Sequence, residues 1–275
     1  MFEAVNIKKN MGSTTVLDDI SFSVMPGEIF GLIGYNGVGK TTLLTLLCGL
    51  KKPKEGSILT DGQRPFDRTP SLLEGQYYLP DDVTPVSWKA REFALMNGKF
   101  WKNYDHGKFL EILQEFETDP DQKMNQMSSG QLKKTYISFA LATGAKHLFM
   151  DEPTNGLDIP SKTQFRGAIM KHTAEDTTII ISTHQVRDLE NIIDPIIILD
   201  KQDVLLNTTI EQITEKLYFD YGGELHSDAL FSEQLPGGFL QVRPNTEGIE
   251  SKVNVEALFN TVHRHKDGIK AMFAK

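Results

Sequence analysis

A glycine-rich stretch at residues 34–41 reads Gly-Tyr-Asn-Gly-Val-Gly-Lys-Thr, which has the spacing of a loop that binds nucleotide phosphates. Glycines let backbone N–H groups turn towards phosphate oxygens, and a helix that begins at the end of the loop adds partial positive charge. Lys40 brings a full charge to the β- and γ-phosphates, and the Thr41 hydroxyl suits Mg²⁺. The stretch therefore predicts a nucleoside triphosphate site, against the alternative of a glycine-rich turn with an incidental lysine. The residues assigned to this site are Gly34, Tyr35, Asn36, Gly37, Val38, Gly39, Lys40, Thr41 and Thr42.

Two adjacent carboxylates, Asp151 and Glu152, end the apolar run of residues 147–150. Ligands of open α/β sheets bind at the carboxyl ends of the strands. Asp151 is placed to hold Mg²⁺ through the water shell of the ion, and Glu152 is placed to orient or deprotonate an attacking water. The alternative is an acidic pair that begins a solvated loop. The phosphate-binding pattern in the same chain favours triphosphate hydrolysis.

A sheet is needed to position these motifs, and strand and helix patterns alternate along the chain. An apolar run at 28–33 predicts a buried strand before the loop, and leucines on one face predict a helix over 41–50 after it. Further strands are predicted at 147–150, 178–181 and 196–199, and helices at 160–172, 185–193 and 254–265.

The predicted fold class is α/β, a P-loop NTPase core with a mostly parallel sheet. Short strands within residues 2–24 predict an N-terminal antiparallel β subdomain, and helical spacing over about 84–145 predicts a helical insertion. The pattern loosens after residue 216. We therefore expect a nucleotide-binding domain over 1–215 and a small C-terminal accessory subdomain over 216–275.

Composition excludes several classes of protein. The 275 residues carry 29 Lys and Arg against 37 Asp and Glu, a net charge of −8, which argues against a nucleic-acid partner. Cys48 is the one cysteine, so an intramolecular disulfide and a multi-thiolate zinc site are excluded. No charge-free apolar run reaches the roughly 18–20 residues that span a bilayer, so any membrane role needs another chain to cross it.

Three further segments complete an ordered set. Residues 128–131 read Ser-Ser-Gly-Gln before a predicted helix, residues 153–158 read Pro-Thr-Asn-Gly-Leu-Asp, and His184 closes a strand. Each is weak alone, since a cap or an ordinary histidine would read the same. Together, over about residues 1–215, the chain resembles the nucleotide-binding subunits of ATP-binding cassette transporters.

The resemblance implies a mechanism with ATP and Mg²⁺. Two subunits, identical or siblings, close head to tail, and ATP lies between the phosphate loop of one and the segment Ser128, Ser129, Gly130 and Gln131 of the other. Lys40, Glu152 and His184 are the implied catalytic residues, with His184 holding the γ-phosphate and the attacking water in line. Asp158 couples the two sites across the dimer. Such clamping of negative charge is most of what phosphoryl transfer requires.

Three positions depart from the family pattern. Met11 stands where an aromatic residue usually stacks on adenine, so we expect either weaker adenine selectivity or an aromatic residue supplied from elsewhere. Asp81 stands at the position of a glutamine near the metal, with Gln76 as the rival assignment, so the implied metal ligands are Thr41, Asp151 and Asp81. Ser129 replaces a glycine and would cost roughly 1 kcal/mol if its φ were positive.

The favoured function is the ATPase subunit of an exporter, of the drug, peptide or polysaccharide type, peripheral on the cytoplasmic face of the membrane. An integral membrane permease, a separate chain, would dock near residues 81–88, where Trp88 and Phe93 are either partner contacts or insertion core. One alternative is a soluble cassette ATPase acting on ribosome or DNA. It is disfavoured by the single motif set and the acidic charge. A non-hydrolysing binder is disfavoured because the catalytic side chains are present.

Overall fold

The computed structural model describes residues 1–274. Within that range the strands are β1 (Phe2–Met11), β2 (Thr14–Val24), β3 (Ile29–Gly34), β4 (Glu55–Thr60), β5 (Gln76–Leu79), β6 (His147–Asp151), β7 (Thr178–Thr183), β8 (Ile196–Asp200), β9 (Asp203–Thr208), β10 (Leu217–Gly222), β11 (Phe231–Leu235) and β12 (Gly238–Pro244). The helices of the same range are α1 (Lys40–Leu47), α2 (Pro70–Glu74), α3 (Ala90–Gly98), α4 (His106–Glu115), α5 (Ser129–Ala142), α6 (Ile159–His172), α7 (Ile210–Lys216), α8 (Val255–Arg264) and α9 (Lys266–Phe273).

A six-stranded sheet in the order β5-β6-β7-β3-β8-β9 forms the centre of the molecule. Its first five strands are parallel, and β9 returns antiparallel to β8. The strands β6, β7 and β8 are buried along their whole length, as expected where helices cover both faces of a parallel sheet. This confirms the predicted α/β class and brings the carboxyl ends of β3, β6 and β7 side by side.

The N-terminal part is an antiparallel sheet, as predicted; its strand order is β2-β1-β4, and β4 was not predicted. The strand β4 reaches it from beyond α1 and pairs with β1, with Phe2 opposite Thr60. Buried side chains of this sheet, such as Leu17 and Ile20, pack with the leucines of α1 and with Phe30 of β3. The sheet is thereby fixed against the start of α1.

Three helices, α3, α4 and α5, lie between β5 and β6 in the chain. Aromatic residues pack between them, and the ring of Phe93 lies 5.2 Å from both Tyr136 and Phe139. Phe93 is therefore part of the core of this helical segment, whereas Trp88 is 46% exposed.

The C-terminal part is an antiparallel sheet in the order β10-β12-β11, followed by α8 and α9. Apolar side chains of α8 and β12, such as Leu258 and Val242, belong to one continuous cluster with Ile198 of the central sheet. The division at residues 215 and 216 stays a prediction.

One helix prediction is wrong. Residues 185–193 form only a short 3₁₀ turn, Val186–Asp188. Contacts to other elements hold this segment: Asp188 accepts a hydrogen bond from Thr154, and Arg187 pairs with Glu256. In the described part of the chain, no helix combines the length and hydropathy that crossing a bilayer requires.

Candidate functional site

The glycine-rich loop connects the carboxyl end of β3 to the start of α1. A Cβ at Gly34 would lie 2.7 Å from Val38 Cγ2 and 2.8 Å from the Leu199 carbonyl oxygen, so only glycine fits there. Gly39 has a φ of 110°, a region that side chains rarely adopt. Because Gly39 carries no side chain that could cap α1, the first turn of the helix offers its N–H groups to an anion.

The ammonium group of Lys40 lies inside this loop. Its Nζ donates hydrogen bonds to the carbonyl oxygens of Gly34, at 2.8 Å, and Tyr35, at 3.2 Å. It also lies 3.3 Å from Glu152 Oε1. The lysine is only 6% exposed, so its charge is held beside the loop in a partly desolvated position.

Asp151 ends β6 and is buried, and two side chains that the sequence did not reveal orient it. The Ser182 hydroxyl donates to Asp151 Oδ1, and the Tyr78 hydroxyl donates to Oδ2 at 3.4 Å. Burial, with Asp151 nearby, raises the pKa of the Tyr78 hydroxyl, which therefore stays protonated as a donor. The one sequence feature that could have indicated these contacts was Ser182 itself, because it is a polar residue within the apolar run of β7.

Glu152 follows Asp151 with a φ of 45° and is 7% exposed. Its N–H donates to the Ser182 carbonyl at 3.0 Å, and its Oε2 accepts from the His184 N–H at 3.2 Å. Its Oε1 is buried and, among residues 1–274, has no partner in hydrogen-bond geometry, although His184 Nδ1 lies 2.9 Å away. A carboxylate oxygen in this state can accept a hydrogen bond from a water.

Asp81 also reaches the site, and two more unpredicted side chains hold it. Asn155 Nδ2 donates to both of its carboxylate oxygens, at 3.2 and 3.3 Å. The buried Lys133 of α5 donates to the Asp81 carbonyl at 2.6 Å and lies 3.4 Å from Oδ1. The rival residue Gln76 is instead buried within β5, where its amide donates to the Cys48 carbonyl at 2.8 Å.

Lys40, Glu152 and Asp81 line a cavity of about 470 Å³, whereas the buried Asp151 is not among its lining residues. Met11, which is 51% exposed, and Val16 form its wall on the side of the N-terminal sheet. The rest of the lining is Asn36, Gly37, Gly39, Lys40, Thr41, Thr42, Asp81, Glu152, Asn155 and His184. The cavity thus combines a cation, helix N–H groups and carboxylates at one edge of the sheet.

The segment at 128–131 lies elsewhere and does not line this cavity. Ser128 caps α5: its hydroxyl accepts from the Gln131 N–H at 3.2 Å, and the Gln131 side chain accepts from the Ser128 N–H at 2.9 Å. Ser129 is the first residue of α5 and does not have a positive φ, so the strain considered for a serine at this position does not arise. Ser128 and Ser129 are exposed.

The turn before α6 lies next to this segment. A Cβ on Gly130 would be 3.5 Å from the Gly156 carbonyl oxygen. Asp158 caps α6 by accepting from the Ser161 N–H at 3.0 Å. Hydrogen bonding from the Ser161 side chain, and then from its N–H, lowers the pKa of the exposed carboxyl. The neighbouring Ile159 is 83% exposed. Residues 128–131 and 158 therefore share a solvent-facing surface outside the cavity.

Comparison with known proteins places this chain in a family. The sequence profile of the ABC transporter family matches residues 17–155. An ABC transporter ATP-binding protein of Methanocaldococcus jannaschii is 31% identical, over 84% of this chain and 85% of the relative. The SkfA peptide export ATP-binding protein of Bacillus subtilis is 29% identical, over 78% and 92%. The cobalt import ATP-binding protein of Salmonella paratyphi A is 30% identical, over 69% and 73%.

Solved structures agree with the sequence comparison. The structure of an ATP-binding subunit of an ABC transporter superposes with a TM-score of 0.70 at 26% identity, and the match covers 78% of this chain and 91% of the other. The shared part therefore includes most of the elements described above.

Proposed function

Because the chain belongs to the ABC transporter family and is an ATP-binding, ATP-hydrolysing subunit of it, we propose that it powers export of a substrate through a separate membrane-spanning chain. The relative named for peptide export supports this direction. The relative named for cobalt import makes uptake the second candidate. In either case this chain lies on the cytoplasmic face of the membrane, attached through its partner.

ATP binds in the cavity bounded by the loop at 34–42. The N–H groups of the loop and of α1 receive the phosphates, and Lys40 exchanges its contacts with the loop carbonyls for phosphate oxygens. Met11 lies where the base would rest. A thioether at this place gives a softer contact than an aromatic ring.

The residues around the phosphates also fit Mg²⁺. Thr41 and Asp81 would supply hard oxygen ligands, and Asp151 would hold the ion through its water shell. The Asp151 carboxylate is held in one orientation by Ser182 and Tyr78. When bound, the ion would neutralise charge on the phosphates. Asp81 keeps its carboxylate towards the cavity through Asn155.

Glu152 is the proposed general base, and its buried Oε1 is the observation that carries this role. The oxygen lies 3.3 Å from Lys40 Nζ and 2.9 Å from His184 Nδ1, and these two groups hold the carboxylate in place. A water that donates to Oε1 would sit beside His184. His184 in turn would hold the γ-phosphate and this water in line.

A second subunit completes the site. The segment at 128–131 is the start of a helix, its two serines are exposed, and it does not line the cavity of its own chain. Its hydroxyls and N–H groups are suited to a γ-phosphate presented by another copy or a sibling chain. We therefore assign a head-to-tail dimer, with Asp158 at the interface.

The membrane partner would dock beside α3. Four large apolar side chains there are exposed by between 46% and 64%, namely Trp88, Leu95, Met96 and Phe100. The segment that begins at Asp81 leads directly from the nucleotide cavity to this surface. A permease loop bound at this surface would therefore respond to whether ATP is bound or hydrolysed in the cavity.

The test is Glu152→Gln. General-base catalysis contributes about 10²- to 10⁴-fold, so ATP hydrolysis should fall by at least about 100-fold while ATP still binds. The variant should form a dimer with ATP, measured by light scattering on a sizing column. Glu117→Gln is the matched control, because Glu117 also has a positive φ, of 52°, and is exposed. Hydrolysis by Glu152→Gln at the parental rate would exclude Glu152 as the base.

The direction of transport is tested through the partner. The integral membrane protein that co-purifies with this chain is identified and reconstituted with it in vesicles. Export predicts ATP-dependent movement away from the side on which this chain is bound. Movement towards that side would establish the import alternative instead.

A further inference from the structure

Helix α8, in the C-terminal part of the chain, touches the phosphate-binding loop. The ring of Tyr35, the first residue after β3, lies 5.0 Å from the ring of Phe259 and 4.9 Å from that of His263, edge to face in both cases. Such aromatic pairs are attractive beyond the area they bury. The carbonyl of the same Tyr35 accepts the hydrogen bond from Lys40 Nζ. Residue 35 therefore joins α8 to the lysine of the loop.

Two further contacts fix α8 against the segment after His184. Arg187 pairs with Glu256 in the first turn of α8. The N–H of Val255 donates to Glu190 Oε1 at 3.3 Å. The helix thus spans both loops that border the γ-phosphate position, and a second cavity of about 440 Å³ lies between it and those loops.

The helix is itself well anchored. Its N-terminus is capped by Asn254, whose Oδ1 accepts from the Ala257 N–H at 2.8 Å. Its apolar face, including Leu258 and Val262, is fully buried against the C-terminal sheet and the main core. Phe259 and His263 are four residues apart and so lie on one side of the helix, towards Tyr35. Helix α8 is therefore a rigid support for the phosphate-binding loop.

We propose that α8 is a positioning element of the nucleotide site, in which Phe259 and His263 hold Tyr35 and so fix the first turn of the phosphate loop. The C-terminal segment then sets the affinity for ATP, and a displacement of α8 lowers it. This inference rests on the proposed binding of ATP at the loop of residues 34–42. It assigns a role to a region with no chemical motif of its own.

A double-mutant cycle tests the contact. Tyr35→Ala and Phe259→Ala should each raise the Kd for ATP by about 2- to 10-fold, which corresponds to the interaction energy of an aromatic pair. The double variant should have a Kd no higher than that of the weaker-binding single variant, because both substitutions remove the same contact. The KM for ATP should rise while kcat stays within about twofold, because the contact acts on binding. Tyr221→Ala is the matched control, since Tyr221 is a tyrosine of similar exposure in the C-terminal part. The proposal would be overturned if the fold-changes in Kd of the two single variants multiplied in the double variant, or if neither variant changed the Kd.

Two further variants keep the outcome decisive. Phe259→Leu preserves apolar packing but removes the ring, so it should weaken ATP binding by a smaller factor and carries the test if the alanine variant does not fold, as checked by thermal denaturation. Lys40→Ala separates the two proposals. If it binds ATP as the parent does, the site at the loop is wrong and this inference fails with it. If it loses ATP while the Phe259 variants match the parent, only the role of α8 is refuted.

Discussion

Replacing Lys133 by methionine should destabilise the protein by about 2 kcal/mol. The Lys133 side chain is buried, and its Nζ donates one short hydrogen bond, 2.6 Å to the Asp81 carbonyl, and two long ones, 3.3 Å to the Pro80 carbonyl and 3.4 Å to Asp81 Oδ1. A hydrogen bond from a charged group contributes about 1.5–3 kcal/mol net, and long contacts add little. Burial lowers the pKa of Lys133, against the opposing effect of Asp81. Removing the ammonium therefore also removes the free-energy cost of its desolvation, which offsets part of the lost hydrogen bonding.

Urea unfolding of the full chain measures this loss, and Lys134→Met is the control. Lys134 is the next residue of α5 and donates to a single carbonyl, that of Phe116, at 3.1 Å. Because Lys134 is only partly buried, water screens this bond, and its loss should cost about 1 kcal/mol, less than for a buried charged donor. Lys133→Met should in addition lower the rate of ATP hydrolysis, because the segment carrying Asp81 is no longer tied to α5. Equal stabilities of the two variants, with unchanged hydrolysis by Lys133→Met, would refute the reasoning.

Three other changes have defined outcomes. Met11→Trp should lower the Kd for ATP by about 5- to 100-fold through base stacking, measured beside GTP; an unchanged Kd would place the base elsewhere. Gly39→Ala should cost about 1–3 kcal/mol of stability, and more than Gly37→Ala in thermal unfolding, because both have positive φ but only at Gly39 would a Cβ meet Leu17, at 2.8 Å. At Asp61, burial raises the pKa, but hydrogen bonds from the N-terminal ammonium, Lys146 and His147 outweigh it and lower the pKa below 3.8. The resulting stability is present above pH 3.8 and lost on acidification, so the deficit of Asp61→Asn at neutral pH should shrink when unfolding is followed towards about pH 3.

The local sequence was enough to predict four strands of the main sheet, β3, β6, β7 and β8, but not its edge strands β5 and β9 or the strand order. Apolar runs bounded by turns identify buried strands, and the glycine pattern fixes the link between β3 and α1. The local pattern predicted a helix at 185–193, and this prediction was wrong. Arg187 and Asp188 instead make contacts with residues that are distant in sequence, Glu256 and Thr154. At Ser129 the sequence left open whether φ is positive, and in the structure the residue begins α5 without a positive φ.

The sequence by itself determined which residues can do chemistry, because phosphate binding and proton transfer need particular side chains at short, fixed spacings. Only the tertiary structure decided what holds them. Tyr78 is 73 residues from Asp151, and Lys133 is 52 from Asp81, so no local pattern links either pair. Tyr35 meets α8 from the other end of the chain. Such contacts depend on how the sheet and helices pack, and packing is a property of the whole fold.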